Sequence, residues 1–182
     1  MRIWQEKRRP APAEEKELLA RFGRKWSTQP LRKKDRDVYP VYRHNGFYFG
    51  ILVCSELRNS RARVNLQGQV DALMVLAWNQ DLASFSSLIE AAALDVHAYT
   101  VLVNNRKYGD SRVRSPAKES FRRDLARIRG GENDYFVAVK LDIRTLRAFQ
   151  SRSKCWPETS DPFKPVPEGF CLQSGRRVKP PN

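Results

Sequence analysis

The chain has 182 residues, of which 34 are Lys or Arg and 20 are Asp or Glu, giving a net charge of +14 at pH 7. That charge draws a protein towards polyanions through counterion release, and no run of 18 apolar residues is present to span a bilayer. Cys54, Cys155 and Cys171 are odd in number, widely spaced and without a Cys-x-x-Cys pair, which argues against a disulfide framework or a zinc site and leaves them as small buried hydrophobes.

In chain order, residues 1–37 read as a basic N-terminal extension. Charge stands there where a secretory leader needs an apolar core, so the expected location is the cytoplasm. Residues 38–152 hold the core domain, and 153–182 form a Pro-rich tail. Within the core, Phe47 to Val53 reads as a strand after a His44-Asn45-Gly46 turn, with Tyr39 to Tyr42 as its hairpin partner. Arg61 to Leu66 alternates weakly, as a short strand does. The apolar run from Asp71 to Trp78 leans towards helix. Phe85, Leu88, Ile89 and Ala92 mark one face of a helix from Ser84 to Asp95, followed by a strand from Thr100 to Val103.

The stretch YTVLVNNRKYGDSRVRSPAKESFRRDLARIR then carries the strongest chemical signal. Asn104 to Arg114 reads as a connection, and Ser115 as the N-cap of a basic helix with Pro116 in first position, closed by Gly130-Gly131. Ala117, Phe121, Leu125 and Ile128 face the core in this reading. A helix start beside Arg106, Lys107, Arg112 and Arg114, four cations in nine residues, is an anion site. The outer cations Arg122, Arg123, Arg127 and Arg129, with Arg106 and Lys107, would then line a nucleic-acid backbone. Tyr135 to Leu141 reads as a last strand and Arg144 to Arg152 as a last helix. Without a regular βαβ rhythm, the expected class is a compact α+β domain with a mixed sheet.

Catalytic motifs of high specificity are missing: no Walker A loop, GxGxxG, HExxH or GxSxG occurs. With only His44 and His97 available, histidine chemistry is a poor expectation and carboxylates take its place. Glu56, Asp110, Glu132 and Asp134 are the candidate ligands for Mg2+, with Glu56 and Asp110 as the catalytic pair; the competing reading makes each of them a turn cap or a surface ion-pair partner.

The segments HNGFYFGILV, AYTVLVNNRKYGDSRVRSPAKESF and RGGENDYFVAVKLDIRTLRAFQ together resemble the plasmid fertility-inhibition factors, the Osa/FiwA-like group, over residues 40–152. The resemblance implies a ParB/sulfiredoxin-like fold in which Arg112, Arg114, Ser115 and Lys118 contact the phosphates of ATP. It also implies ATP-regulated DNA cleavage that blocks DNA export through a type IV secretion system. The implied partners are DNA, as a single-stranded transfer intermediate or relaxase–DNA complex, and the coupling ATPase. This chain departs from that fold's turn motifs: it reads Asp110-Ser111-Arg112-Val113-Arg114-Ser115 where ParB proteins carry Gly-Glu-Arg-Arg, and it has no cysteine there for sulfinic acid reduction. The alternatives are a non-catalytic inhibitor that binds nucleic acid or the coupling protein and, third, a ribosome-like RNA binder.

Overall fold

A type I′ turn begins the sheet. Asn45 and Gly46 both have positive φ (47° and 78°), the pair of conformations that lets two strands turn with their natural twist. It joins β1 (Val41–His44) to β2 (Phe47–Val53) in an antiparallel hairpin. The computed structural model describes residues 2–26, 38–152 and 158–178; Cys155, Pro157, Pro180 and Pro181 and parts of both proposed extensions lie outside them.

From β2 the chain passes through a short 3-10 helix (Cys54–Arg58) and α2 (Ser60–Leu66) to β3 (Ala72–Ala77), then through α3 (Leu82–Asp95) to β4 (Tyr99–Asn104). Strands β2, β3 and β4 are parallel neighbours, so this is a βαβαβ unit after all. The expectation of a helix over Asp71 to Trp78 fails because a fully buried parallel strand is apolar on both faces and loses the two-residue alternation. The expected strand over Arg61 to Leu66 is the helix α2, capped by the Asn59 side chain accepting from the Arg61 amide at 3.1 Å.

Beyond β4, a hairpin leads to β5 (Ser111–Arg114) and then to β6 (Asp124–Ile128), both antiparallel. The sheet therefore has six strands in sequential order, mixed, with three parallel strands at its centre, and the molecule is a compact α+β domain. An α1 helix (Pro12–Phe22) precedes it and α4 (Ile143–Gln150) follows it.

The basic helix expected from Pro116 to Arg129 does not form. Ser120–Arg122 is a single 3-10 turn and the rest is β6. Its apolar periodicity was misleading: Ala117 is buried, whereas Phe121 and Leu125 are exposed. Pairing of β6 with β5 outweighs a pattern that finds no core to face. Tyr135 to Leu141, expected as a strand, has no strand partner among the described residues.

Sequential strand order puts both right-handed crossovers on one face. There Leu57, Ala62 and Leu66 join Phe85, Ile89 and Ala92 against Leu52, Leu73, Val75 and Leu102 in the main core. The other face is covered at the amino ends of the parallel strands by Leu146 of α4 and by Phe163, which pack on Ala72 and Tyr99. Its carboxyl ends stay open, with Leu76 and Val103 about half exposed.

Buried polar groups tie the returning tail to this frame. Asp71 accepts from the Tyr48 amide at 2.8 Å, from Arg147 at 2.8 Å and from Arg176 at 2.9 Å, and Arg176 is itself wholly buried. Burial alone would raise the carboxyl's pKa, but the Arg147 and Tyr48 hydrogen bonds and the Arg176 charge outweigh it and hold the group below its usual range. His97 is also buried: its Nδ1 accepts from Gln150 at 3.2 Å, which leaves Nε2 as the donor to the Lys164 carbonyl at 2.8 Å. Burial keeps that ring neutral by lowering its pKa.

Candidate active site

Parallel strands present ligands at their carboxyl ends, outside the sheet. Register places Val53 opposite Leu76 and Ala77 opposite Asn104, so Cys54, Trp78 and Asn104 share one edge. Cys54 is the first residue past β2 and has φ +52°, a left-handed conformation that costs a non-glycine residue roughly 1–3 kcal/mol. Strand, tight turn and helix follow one another there, which lifts the Cys54 side chain off the strand's pleat. Its Sγ lies 4.0 Å from the Trp78 carbonyl oxygen, and the Trp78 ring is largely exposed beside it.

Glu56 holds this turn. Its side chain is almost wholly buried; one oxygen accepts from the Val53 amide at 2.8 Å and the other from the Arg8 amide at 2.6 Å and the Arg9 amide at 3.3 Å. The N-terminal segment is thereby fastened to the turn, with Ser55 Oγ donating to the Arg9 carbonyl at 3.4 Å and the Tyr42 hydroxyl to Gln5 at 2.8 Å. Tyr39 completes the shell beneath the Arg8 guanidinium, 4.9 Å from its ring centre; burial first, then the neighbouring Glu56 charge, pushes its hydroxyl pKa up. Asn104 fixes the other side, accepting from the Asn79 amide at 2.9 Å and donating to the Asn79 and Gly109 carbonyls at 2.9 and 2.7 Å.

The residues expected to bind phosphate lie elsewhere and are engaged in structure. Arg112 and Arg114 project from β5 rather than from a loop. Arg112 grips Asp110 at 2.9 and 2.7 Å and Ser86 at 2.9 Å. Arg114 lies 3.2 Å from Asp124 and 3.7 Å from Glu90. Ser115 caps no helix: its hydroxyl donates to the Arg122 carbonyl at 3.2 Å. Lys118 reaches the Glu158 and Thr159 carbonyls at 3.1 and 3.2 Å. Of the cations assigned to a nucleic-acid backbone, Arg123 pairs with Glu90, Arg127 with Asp110 and Arg106 with Asp134. Lys107 and Arg122 lie over the Tyr108 and Phe121 rings, and Arg129 is exposed. They follow a hairpin and an edge strand, not one helix face.

The four carboxylates proposed for Mg2+ do not converge. Glu56 follows β2 and Asp110 precedes β5, with β3 and β4 between them, or about 14 Å at the usual strand spacing. Glu132 is exposed and Asp134 is held by Arg106. Among the described residues no three His, Cys, Asp or Glu side chains gather as a metal site. The residue that sequence reasoning passed over is Cys54. Its signal was the order strand, Cys-Ser-Glu, helix start, visible only once Arg61 to Leu66 is read as helical.

No family model and no curated protein matches this sequence. Solved structures do match. A mutant amidase from Nesterenkonia sp. AN1, in complex with butyramide, aligns with 68% of this chain and 44% of its own at 15% identity and a TM-score of 0.50. A Saccharomyces cerevisiae member of branch 10 of the nitrilase superfamily aligns with 58% of this chain and 40% of its own at 19% identity and TM-score 0.47. A CN-hydrolase superfamily protein from Xanthomonas campestris aligns with 52% and 41% at 18% identity and TM-score 0.42. The matched region spans less than half the length of each. At these identities the likeness is one of fold, carried by the first of the three. It corrects the expectation of a ParB/sulfiredoxin-like core and of a fertility-inhibition factor with nuclease activity, since the fold aligns with that of an amidase and the strand-turn-helix that was to bind ATP is a β-hairpin.

Proposed function

We propose that the chain performs thiol-based hydrolysis of amides with Cys54 as nucleophile. The observation that carries the reading is the backbone of Cys54, a cysteine held at positive φ on the carboxyl edge of a parallel sheet by the buried carboxylate of Glu56. Strain kept in place by its surroundings is a recurrent property of reactive positions. Amides are the chosen class because the structure of like fold is that of an amidase, solved with butyramide.

In the proposed reaction the Cys54 sulfur attacks the amide carbon; an S–C bond forms, the C–N bond breaks, and the thiol proton leaves with the departing amine or ammonia. Water then cleaves the thioester, giving the carboxylic acid and restoring the thiol. The developing oxyanion meets the amides at the start of the Cys54–Arg58 turn, since the first N–H groups of any helix have no partner within it. Trp78, exposed at the neighbouring strand end, supplies an apolar wall for a short acyl chain.

The test is ammonia release from butyramide and related short amides, with intact-mass detection of an acyl adduct after rapid quenching. Cys54→Ala should abolish both, whereas Cys171→Ala, at an exposed site in the tail, should change neither. Absence of turnover and of any adduct on Cys54 in the parent chain would overturn the reading.

A further inference from the structure

Residues 134–140 belong to no helix, strand or turn, and no main-chain hydrogen bond joins them to another described residue. Their side chains are those of a strand, Tyr135-Phe136-Val137-Ala138-Val139, yet Tyr135 is 61%, Phe136 93% and Val137 50% exposed. Between this segment and the sheet runs a groove of about 240 Å³ whose floor is Val101, Val103, Val113, Ala126 and Ile128. Leu76 and Val103 continue the apolar surface towards the open end of the sheet. An unpaired row of amides and carbonyls beside an apolar groove is the template used in strand addition.

Charge selects what fills it. At its polar end the groove meets a smaller one lined by Arg129 and by the Arg106–Asp134 ion pair (2.9 Å), and the whole chain carries +14. A second copy would bring the same cationic end and the same net charge against it, which like-charge repulsion opposes. We infer that residues 133–139 and the facing β4–β5–β6 surface form a docking site for an extended segment of another protein, with alternate apolar side chains and carboxylates at one end. The partner strand pairs with the main chain of 135–139, its apolar side chains enter the groove, and its carboxylates meet Arg129 and compete with Asp134 for Arg106. This surface is independent of Cys54 and stands whether or not the proposed hydrolysis does.

The experiment uses the full chain and two fluorescein-labelled ten-residue peptides alternating Val and Thr, one with two glutamates at its N-terminus and one with them at its C-terminus. One of the two should bind saturably with a Kd below about 1 mM. Its complex should slow hydrogen exchange of the amides at 135–139. Lysines in place of the glutamates, or N-methylation of alternate peptide bonds, should each weaken binding at least about tenfold, as should the Arg106→Glu, Arg129→Glu double variant at exposed positions. Phe136→Asp, equally exposed, gives a second variant with the same expected direction. The inference fails if neither acidic peptide binds, if the N-methylated peptide binds equally well, or if sedimentation shows the chain pairing with itself through 135–139.

Discussion

Glu56, the third residue past β2, accepts hydrogen bonds from three main-chain amides, whereas Asp110, just before β5, accepts them from the guanidinium groups of Arg112 and Arg127. Both carboxylates are buried, and both stand in turns with a residue at positive φ, Cys54 in one and Asp110 itself in the other. The hairpin turn cancels charge with charge and leaves nothing to react. The β2 turn uses its carboxylate to fix backbone, and so leaves a strained thiol facing the strand ends. Density of charge in the sequence marked the first; the arrangement of the main chain marks the second.

The largest effect expected from this contrast is on stability at the hairpin. Asp110→Ala leaves Arg112 buried without its partner and should cost about 3–5 kcal/mol in urea unfolding, with no specific effect on Cys54 alkylation. A cost under about 1 kcal/mol would show that the ion pair does not hold the turn. Glu56→Gln should cost less, about 1–3 kcal/mol, because one oxygen still accepts, but it should alter the rate at which iodoacetamide labels Cys54. An unchanged labelling rate would separate Glu56 from the thiol. Cys54→Gly should stabilise the fold by about 1 kcal/mol, since glycine adopts φ +52° without strain, while removing any amide hydrolysis. Destabilisation there would mean that the sulfur's packing outweighs the strain.

The smallest effect is a pH slope. Burial opposes ionisation of Asp110, but the hydrogen bonds and charges of Arg112 and Arg127 outweigh it and hold its pKa below the usual carboxylate value. A depressed pKa contributes stability that is fully present above the unfolded value near 3.9 and is lost as pH falls through the folded value. Asp110→Asn should therefore unfold with a shallower loss of stability below about pH 4 than the parent. An equal slope would assign acid sensitivity to other carboxylates, Asp71 first among them.

Local signals in the sequence were legible where one interaction decides the outcome. Asn45-Gly46 fixed a turn, the 3.6-residue pattern of Phe85 to Ala92 fixed α3, and the α4 segment and the strand at Thr100 to Val103 formed close to the expected bounds. The class, α+β with a mixed sheet, holds, although its argument, the lack of a βαβ rhythm, does not, since β2, β3 and β4 are parallel. What failed was decided by neighbours distant in sequence. Whether Asp71 to Trp78 is strand or helix depends on β2 and β4 flanking it, and whether Ala117 to Ile128 is helical depends on the edge offered by β5. Cys54 was hidden for a related reason. Its significance lies in a backbone angle set by Glu56 and the N-terminal segment, not in its own residue type or its spacing from other cysteines.

Arg176 bears on how the molecule is made. Its guanidinium completes the shell of Asp71, 105 residues earlier in the chain, and donates to the Gly68 carbonyl at 2.7 Å. The tail passes so close to Gly68 that an added Cβ there would lie 2.0 Å from the Cys171 carbonyl oxygen. On a ribosome adding about 5–20 residues per second, Asp71 therefore waits some 5–20 s for this partner. Until then the amino ends of β3 and β4 lack part of their cover. Nascent chains halted before position 176 should be more easily cut by protease than chains that extend beyond it, because Arg176 completes the cover over Asp71.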